Sequence, residues 1–154
     1  MSTSTEHGLP ALGATSTFRK TVTEADVGIF AGITGDLAPQ HIDEEYMQTH
    51  PAGRRIAHGS LVLALTSTAA ARLCEQEQVT AVSYGYERIR FIRPVYLGDT
   101  VSIDYRIDSV EPDSHKAFAQ LQATTRRGEE LVLVGTHILY CYPDADAYPA
   151  GEER

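Results

Sequence analysis

The chain has 154 residues, 42% of them hydrophobic, and a formal net charge of -8. That length and composition suffice for one globular domain with its own core, so no second domain is required. The negative charge argues against nucleic acid or an anionic membrane as a partner, because the mean field of the protein repels phosphate.

Three features predict a cytoplasmic protein without membrane contact. The two cysteines, Cys74 and Cys141, lack a C-x-x-C spacing and cannot form a disulfide framework, which fits a reducing compartment. Residues 1–17 hold no basic segment followed by an apolar one, the pattern of a secretory signal. No stretch approaches the ~18 apolar residues of a membrane-spanning helix.

The first elements can be placed from composition and from a helix cap. Residues 1–16 are rich in Ser, Thr, Gly and Ala, and they are expected to form a flexible N-terminal tail. Residues 18–22 are a plausible short strand. Thr23 is followed three residues later by Asp26, a variant of the capping box, which predicts a helix to about Thr34.

Asp36 and His41 lie five residues apart, on either side of Pro39. Pro39 cannot occupy a helix interior and Gly35 permits a bent backbone, so we predict a loop that directs both side chains at one point. Histidine is the side chain most easily tuned to exchange a proton near neutral pH. An acid and an imidazole at this spacing therefore indicate general acid/base catalysis.

A long helix should follow a short one. Asp43 is expected to cap a brief helix that ends before Pro51. Residues 60–76 are apolar nearly all round, which predicts an enclosed helix roughly 25 Å long. Gly59 lies where the free amides of that helix start point outward, and Ser60 offers a capping hydroxyl.

The second half of the chain is predicted to be strand. Alternating apolar and polar side chains are clearest over residues 101–108, which indicates a strand with one buried face. One long buried helix followed by antiparallel strands favours an α+β architecture in which a sheet wraps around the helix. The strands are expected at residues 79–92, 101–108, 117–123 and 131–142.

The segment GITGDLAPQH, residues 32–41, resembles the hydratase motif of the MaoC-like, (R)-specific enoyl-CoA hydratases. His58-Gly59 and residues 90–95 fall where that family places similar segments, and the resemblance covers about residues 16–142. The family usually has Asn in place of Ala38 and an aliphatic residue in place of Gln40. The resemblance implies a hotdog fold, with one domain over residues 17–143 and a polar C-terminal tail over residues 144–154.

The resemblance also implies an activity, the reversible syn hydration of a 2-enoyl-CoA to an (R)-3-hydroxyacyl-CoA. Asp36 and His41 would activate water, and the Gly59 N–H would stabilise the enolate. Ser60 and Ser67 are candidate substrate-binding residues, since a serine eight residues after the glycine lines the site in similar hydratases. The substrate would be a thioester of CoA or of an acyl carrier protein. In this family two sheets join edge to edge, so a homodimer or a higher oligomer is expected.

Other interpretations stay open at this point. Asp36 could cap loop amides, and Ser67 could bond back to its own helix. A hotdog thioesterase is a second enzymatic hypothesis, because an acid near a thioester carbonyl can also activate water for hydrolysis. A non-catalytic acyl-CoA binding or partner subunit is a third, and its main support is Ala38, which replaces a polar loop residue.

No metal or cofactor is expected beyond the CoA of the substrate. His50 and His58 could join Asp36 and His41 as metal ligands, but neither an H-E-x-x-H helix nor a Cys/His ladder is present. The sequence also lacks a G-x-S-x-G segment and a glycine-rich nucleotide-binding pattern.

Overall fold

A computed structural model describes residues 8–143, apart from the side chain of Arg127. None of the helices within residues 8–143 is long and apolar enough to cross a membrane. The elements, in chain order, are β1 (Thr15–Thr21), α1 (Glu24–Thr34), α2 (Pro39–Ile42), α3 (Glu44–Gln48), α4 (Gly59–Glu77), β2 (Ala81–Phe91), β3 (Thr100–Glu111), β4 (Lys116–Thr125) and β5 (Glu130–Cys141).

The described strands form one antiparallel sheet with the order β1-β3-β4-β5-β2. Helix α4 packs against β1, β3 and β4, so the core lies between the helix and one face of the sheet. The predicted alternation of β3 is confirmed, since its apolar side chains are buried and its polar ones face outward. The expected α+β architecture is therefore confirmed. The side chains that β3 buries are Val101, Ile103, Tyr105 and Ile107.

Helix α4 is enclosed on one side only, which corrects the prediction of a helix buried all round. Its inner face buries large and small apolar side chains together with Thr66. Its outer face is exposed and carries side chains no larger than serine at spacings of four, three and four residues, the pattern of a single helix face. We call this face the α4 stripe, and it consists of Ser60, Ala64, Ser67 and Ala71.

The fold also begins earlier than predicted, because β1 starts at Thr15 and Leu9 is buried in the core. The Gly13 N–H donates to the Ile107 carbonyl at 2.9 Å, and the Ala11 N–H donates to the Glu77 carboxylate at 2.9 Å. Residues 8–16 thus pack on the domain through backbone pairing and one leucine, so the predicted tail extends too far. Residues 1–7 of that tail and residues 144–154 lie outside the described part of the chain.

The caps predicted at Thr23 and Asp43 are confirmed. The Thr23 hydroxyl accepts from the Asp26 N–H at 3.2 Å, and the Asp26 carboxylate accepts from the Thr23 N–H at 2.8 Å. The Asp43 carboxylate accepts from the Tyr46 N–H at 2.8 Å and so starts α3. These side chains satisfy amides that a helix start leaves without partners.

His137 on β5 is a buried polar side chain with a partner at each ring nitrogen. Its Nδ1 lies 2.8 Å from the Tyr105 hydroxyl, and its Nε2 lies 2.8 Å from the Ser83 hydroxyl. The ring of Tyr86 stacks on the imidazole with centroids 4.4 Å apart. Burial lowers the pKa of His137 to about 4, because the charged imidazolium loses its hydration.

We predict that this histidine makes the protein less stable in acid. The unfolded chain binds a proton at His137 near pH 6.5, whereas the folded chain binds it only near pH 4. The contribution to stability is therefore complete above pH 6.5 and is lost as the pH falls from 6.5 towards 4. Denaturant unfolding should show a free energy of unfolding about 2 kcal/mol lower at mildly acidic pH than at neutral pH, and His137→Asn should lack this decrease. An equal loss in the variant would contradict this assignment.

Candidate active site

The loop between α1 and α2 is shaped around Asp36. Helix α1 ends at Gly35, which adopts a left-handed conformation with φ +76° and donates its N–H to the Ala31 carbonyl. The Asp36 Oδ1 accepts from the backbone N–H of Ala38 at 3.3 Å. The donor is the backbone amide of residue 38, so this hydrogen bond to the Asp36 carboxylate does not depend on the side chain at that position. The Asp36 side chain remains half exposed, and Oδ2 faces the rings of two histidines.

His41 lies on α2, not on the loop that was predicted to extend to it. Pro39 occupies the first position of this short helix, where its missing N–H costs no hydrogen bond and its fixed φ suits the helix. The His41 side chain is buried, and its Nδ1 lies 2.8 Å from the Ile56 carbonyl oxygen. A carbonyl can only accept, so Nδ1 carries the proton, and Nε2 of the neutral ring is left as a base.

The Asp36 Oδ2 and the His41 Nε2 are 3.9 Å apart. That distance is too long for a direct hydrogen bond between them. A water molecule bonded to both atoms fits the separation, because each bond then has the usual length. The arrangement can therefore orient a small polar molecule and take a proton from it.

His58 was considered in the sequence only as a possible metal ligand, and the structure gives it a supporting role in the site. Its ring is 2% exposed and stacks on His41 with centroids 3.7 Å apart, and Phe30 covers it at 5.0 Å. The His58 Nε2 lies 3.0 Å from the Asp36 carbonyl oxygen, to which it donates. His58 thus holds the backbone of Asp36 in place and supports the ring of His41. The signals in the sequence were its place in the family-like segment with Gly59 and its imidazole, and neither indicated these contacts.

The segment before α4 is tied to three other parts of the site. The Ile56 N–H donates to the Gln40 carbonyl at 3.0 Å, in addition to the bond from His41 to Ile56. Arg55 binds Glu24 with two nitrogens at 2.8 and 2.6 Å and Glu44 with Nε at 2.8 Å. This bidentate pairing lowers the pKa of Glu24 and joins the first turns of α1 and α3.

Gly59 is the first residue of α4, and the helical hydrogen bonds begin with the bond from Leu61 to the His58 carbonyl at 3.1 Å. The amides of Gly59 and Ser60 precede that bond, as expected at a helix start. A Cβ atom at Gly59 would lie 3.0 Å from the ring of Phe91, so a larger residue there would have to displace that ring. Gly59, Val62 and Phe91 line a cavity of about 330 Å³.

The two predicted serines are placed differently. The residue that caps α4 is His58 and not Ser60, whose side chain is exposed on the α4 stripe. The Ser67 hydroxyl donates to the Ala64 carbonyl at 2.8 Å, the back-bonding alternative for a helical serine. Ser67 lines a second cavity of about 480 Å³, so within this chain it does not share the cavity of Gly59.

Asp36, His41 and His58 each present one possible metal ligand within 4.8 Å of the others. The His58 Nε2, however, donates its proton to the Asp36 carbonyl, so its lone pair does not face the group. Two ligands remain, fewer than the three that a catalytic zinc site normally takes from protein. His50 is exposed and accepts from the Ala52 N–H at 3.2 Å.

This α+β fold with an acid and an imidazole beside the start of its long helix has relatives of known class. Residues 10–127 match the family model described as MaoC like domain, and the chain belongs to that family. An (R)-specific enoyl-CoA hydratase of Rhodospirillum rubrum is 31% identical over 80% of this chain and 82% of its own length. A 3-hydroxybutyryl-CoA dehydratase of Methylorubrum extorquens is 31% identical over 90% of this chain and 85% of its own.

Solved structures support the same fold. A protein from Archaeoglobus fulgidus superposes with a TM-score of 0.77 at 30% identity, covering 88% of this chain and 81% of its own. The (R)-hydratase of Aeromonas caviae superposes with a TM-score of 0.76 at 24% identity, covering 84% of this chain and 95% of its own. The hotdog fold expected from the resemblance is confirmed.

Proposed function

We propose that this protein is an acyl-CoA hydro-lyase that catalyses the reversible syn hydration of a 2-enoyl-CoA to an (R)-3-hydroxyacyl-CoA. The observation that carries the proposal is the 3.9 Å separation of the Asp36 and His41 side chains. The names of the Rhodospirillum and Methylorubrum relatives support the same reaction in its two directions.

The chemistry follows from the hydrogen-bonding roles of the two side chains. The bond from His41 Nδ1 to Ile56 leaves Nε2 as an acceptor, and the Asp36 carboxylate is a second acceptor on the other side of the water. Together they hold the water for attack on C3 and take up its proton. The pair then delivers a proton to C2, so that one water is added across the double bond and no other reactant is consumed.

Negative charge develops on the thioester oxygen when the water attacks. In this proposal the amide of Gly59 at the start of α4 donates to that enolate, a contribution of roughly 3 kcal/mol per donor in enzymes where it was measured. Ser60 adds a second amide of the same helix turn. The reaction needs no metal and no cofactor beyond the CoA or acyl carrier protein that carries the acyl group, and it suits a cytoplasmic enzyme.

A homodimer is part of the proposal, because β2 is an edge of the sheet that residues 8–143 do not cover. The strand is eleven residues long and largely exposed, with bulges near Gly85 and Arg88. An exposed apolar edge of this length presents unpaired backbone groups that can pair with another strand. We infer that β2 pairs with β2 of a second copy. Its exposed apolar side chains are Val82, Tyr84, Tyr86 and Phe91.

We predict that Asp36→Asn and His41→Ala each lower kcat for crotonyl-CoA by at least about a hundredfold, because each removes one acceptor for the water. Hydration is followed as loss of the enoyl absorbance, and release of free CoA is measured in parallel. Asp113→Asn and His50→Ala change exposed residues elsewhere and should match the unmodified protein. Full turnover in both site variants would remove the pair from the mechanism, and release of CoA without hydration would identify a thioesterase.

We predict that Tyr84→Glu on β2 weakens the dimer at least about tenfold, because it buries a charge in the proposed strand pairing. Sedimentation equilibrium gives the dissociation constant, with Tyr46→Glu on the exposed face of α3 as the matched control. A monomeric unmodified protein, or an unchanged constant in Tyr84→Glu, would contradict the β2 interface.

A further inference from the structure

The second cavity has a hydrogen-bonding system that the hydration chemistry does not use. It lies between α4 and the strands β2 and β5, and its volume of about 480 Å³ is in the range of ligand pockets. Ser67 and Ala71 of the α4 stripe form one wall, while Ser83, Tyr86 and His137 form the other.

The direction of the hydrogen bonds in this system can be deduced. The Tyr105 side chain is 1% exposed, and among the described residues its hydroxyl bonds only to His137 Nδ1. A buried hydroxyl proton must be donated, so Tyr105 donates and Nδ1 accepts. Burial keeps the imidazole neutral, so its single proton is on Nε2 and is donated to the Ser83 oxygen. The Ser83 hydroxyl proton is therefore free to be donated to a ligand.

The cavity also determines which acceptor would suit that donor. No Lys or Arg is among the described residues that line it, while Glu75 does line it, and burial raises the pKa of the Cys74 thiol so that this group stays neutral. A carboxylate would meet no compensating positive charge there. An uncharged oxygen, as in a ketone, an ether or a hydroxyl, can accept from Ser83 at no such cost.

The α4 stripe connects this cavity with the proposed reaction centre. Gly59 starts the helix, and Ser67 is eight residues further along, about 12 Å away at the helical rise. The small exposed side chains between them leave the surface of the helix accessible over that distance. An acyl chain whose carbonyl lies at Gly59 can follow the stripe to Ser83.

We propose that this enzyme acts on medium-chain acyl thioesters that carry an uncharged oxygen near the far end of the acyl group, and that Ser83 is the residue that recognises that oxygen. This inference rests on the proposed hydratase function, because it names the substrate class of the same site. Tyr105 and His137 are positioning residues, since they orient the Ser83 hydroxyl and do not contact the substrate.

Matched pairs of 2-enoyl-CoA thioesters test the proposal, one member unsubstituted and the other with a ketone on the penultimate carbon, over a series of chain lengths. For the length that reaches Ser83, the ratio of kcat/KM should favour the ketone, and Ser83→Ala should reduce this ratio about fivefold. Ser109→Ala, an exposed serine on the outer face of β3, should retain the original ratio. Tyr105→Phe should also lower the ratio of kcat/KM values, because this variant lacks the hydroxyl donor that keeps the imidazole proton on Nε2.

A binding measurement separates this proposal from the proposed reaction. Calorimetric titration with the corresponding saturated acyl-CoA pairs needs no turnover, and the ketone should bind about fivefold more tightly to the unmodified protein than to Ser83→Ala. If no enoyl thioester were hydrated, the proposed hydratase activity would be wrong, but the calorimetric comparison would still test Ser83. Equal discrimination by the unmodified protein and Ser83→Ala at all lengths, in both arms, would overturn the role of Ser83.

Discussion

The distance of 3.9 Å between the Asp36 carboxylate and the His41 imidazole is a constraint that neither segment maintains alone. The Asp36 loop follows a glycine in a left-handed conformation, and α2 is a single turn. Both are short elements with few intrinsic reasons to stay in place. The ring of His58 bonds to the backbone carbonyl of Asp36 and stacks on the ring of His41. His58 is itself the N-cap residue of α4.

The long helix therefore has three separate tasks. Its inner face fills the core against the sheet, its first turn places His58 and Gly59 beside the acid, and its exposed stripe leads to the second cavity. In the proposed complex with substrate, one rigid element would thus set the distance from the reacting carbonyl to the far end of an acyl chain. A site on rigid elements is more accurately preserved than one on loops, which suits a reaction that depends on the placement of one water.

The elements predicted correctly were those with local signals. Alternation in β3 and the caps at Thr23 and Asp43 each depend on residues within one turn or one strand, and the structure has them where the sequence placed them. The long helix was placed within one residue at each end. Asp36 and His41 were expected to face one point because they are close in sequence, and the structure brings their side chains within 3.9 Å of each other.

The missed features depend on residues far apart in the chain. His58 is 22 residues from Asp36, and no local pattern shows that its ring would bond there. The exposed α4 stripe was overlooked because alanine counts as apolar even where it faces outward. The N-terminal residues were taken for a tail because their composition does not reveal the backbone pairing of Gly13 with Ile107.

We propose that Asp36 and His41 act as a unit on one water molecule, and a double-mutant cycle tests this directly. Turnover of crotonyl-CoA would be measured for Asp36→Asn, His41→Ala and the double variant. If both groups hold the same water, removal of the second should cost little once the first is gone, so the double variant should be about as slow as the slower single variant. A double variant slower by the product of the two single effects would contradict the shared water.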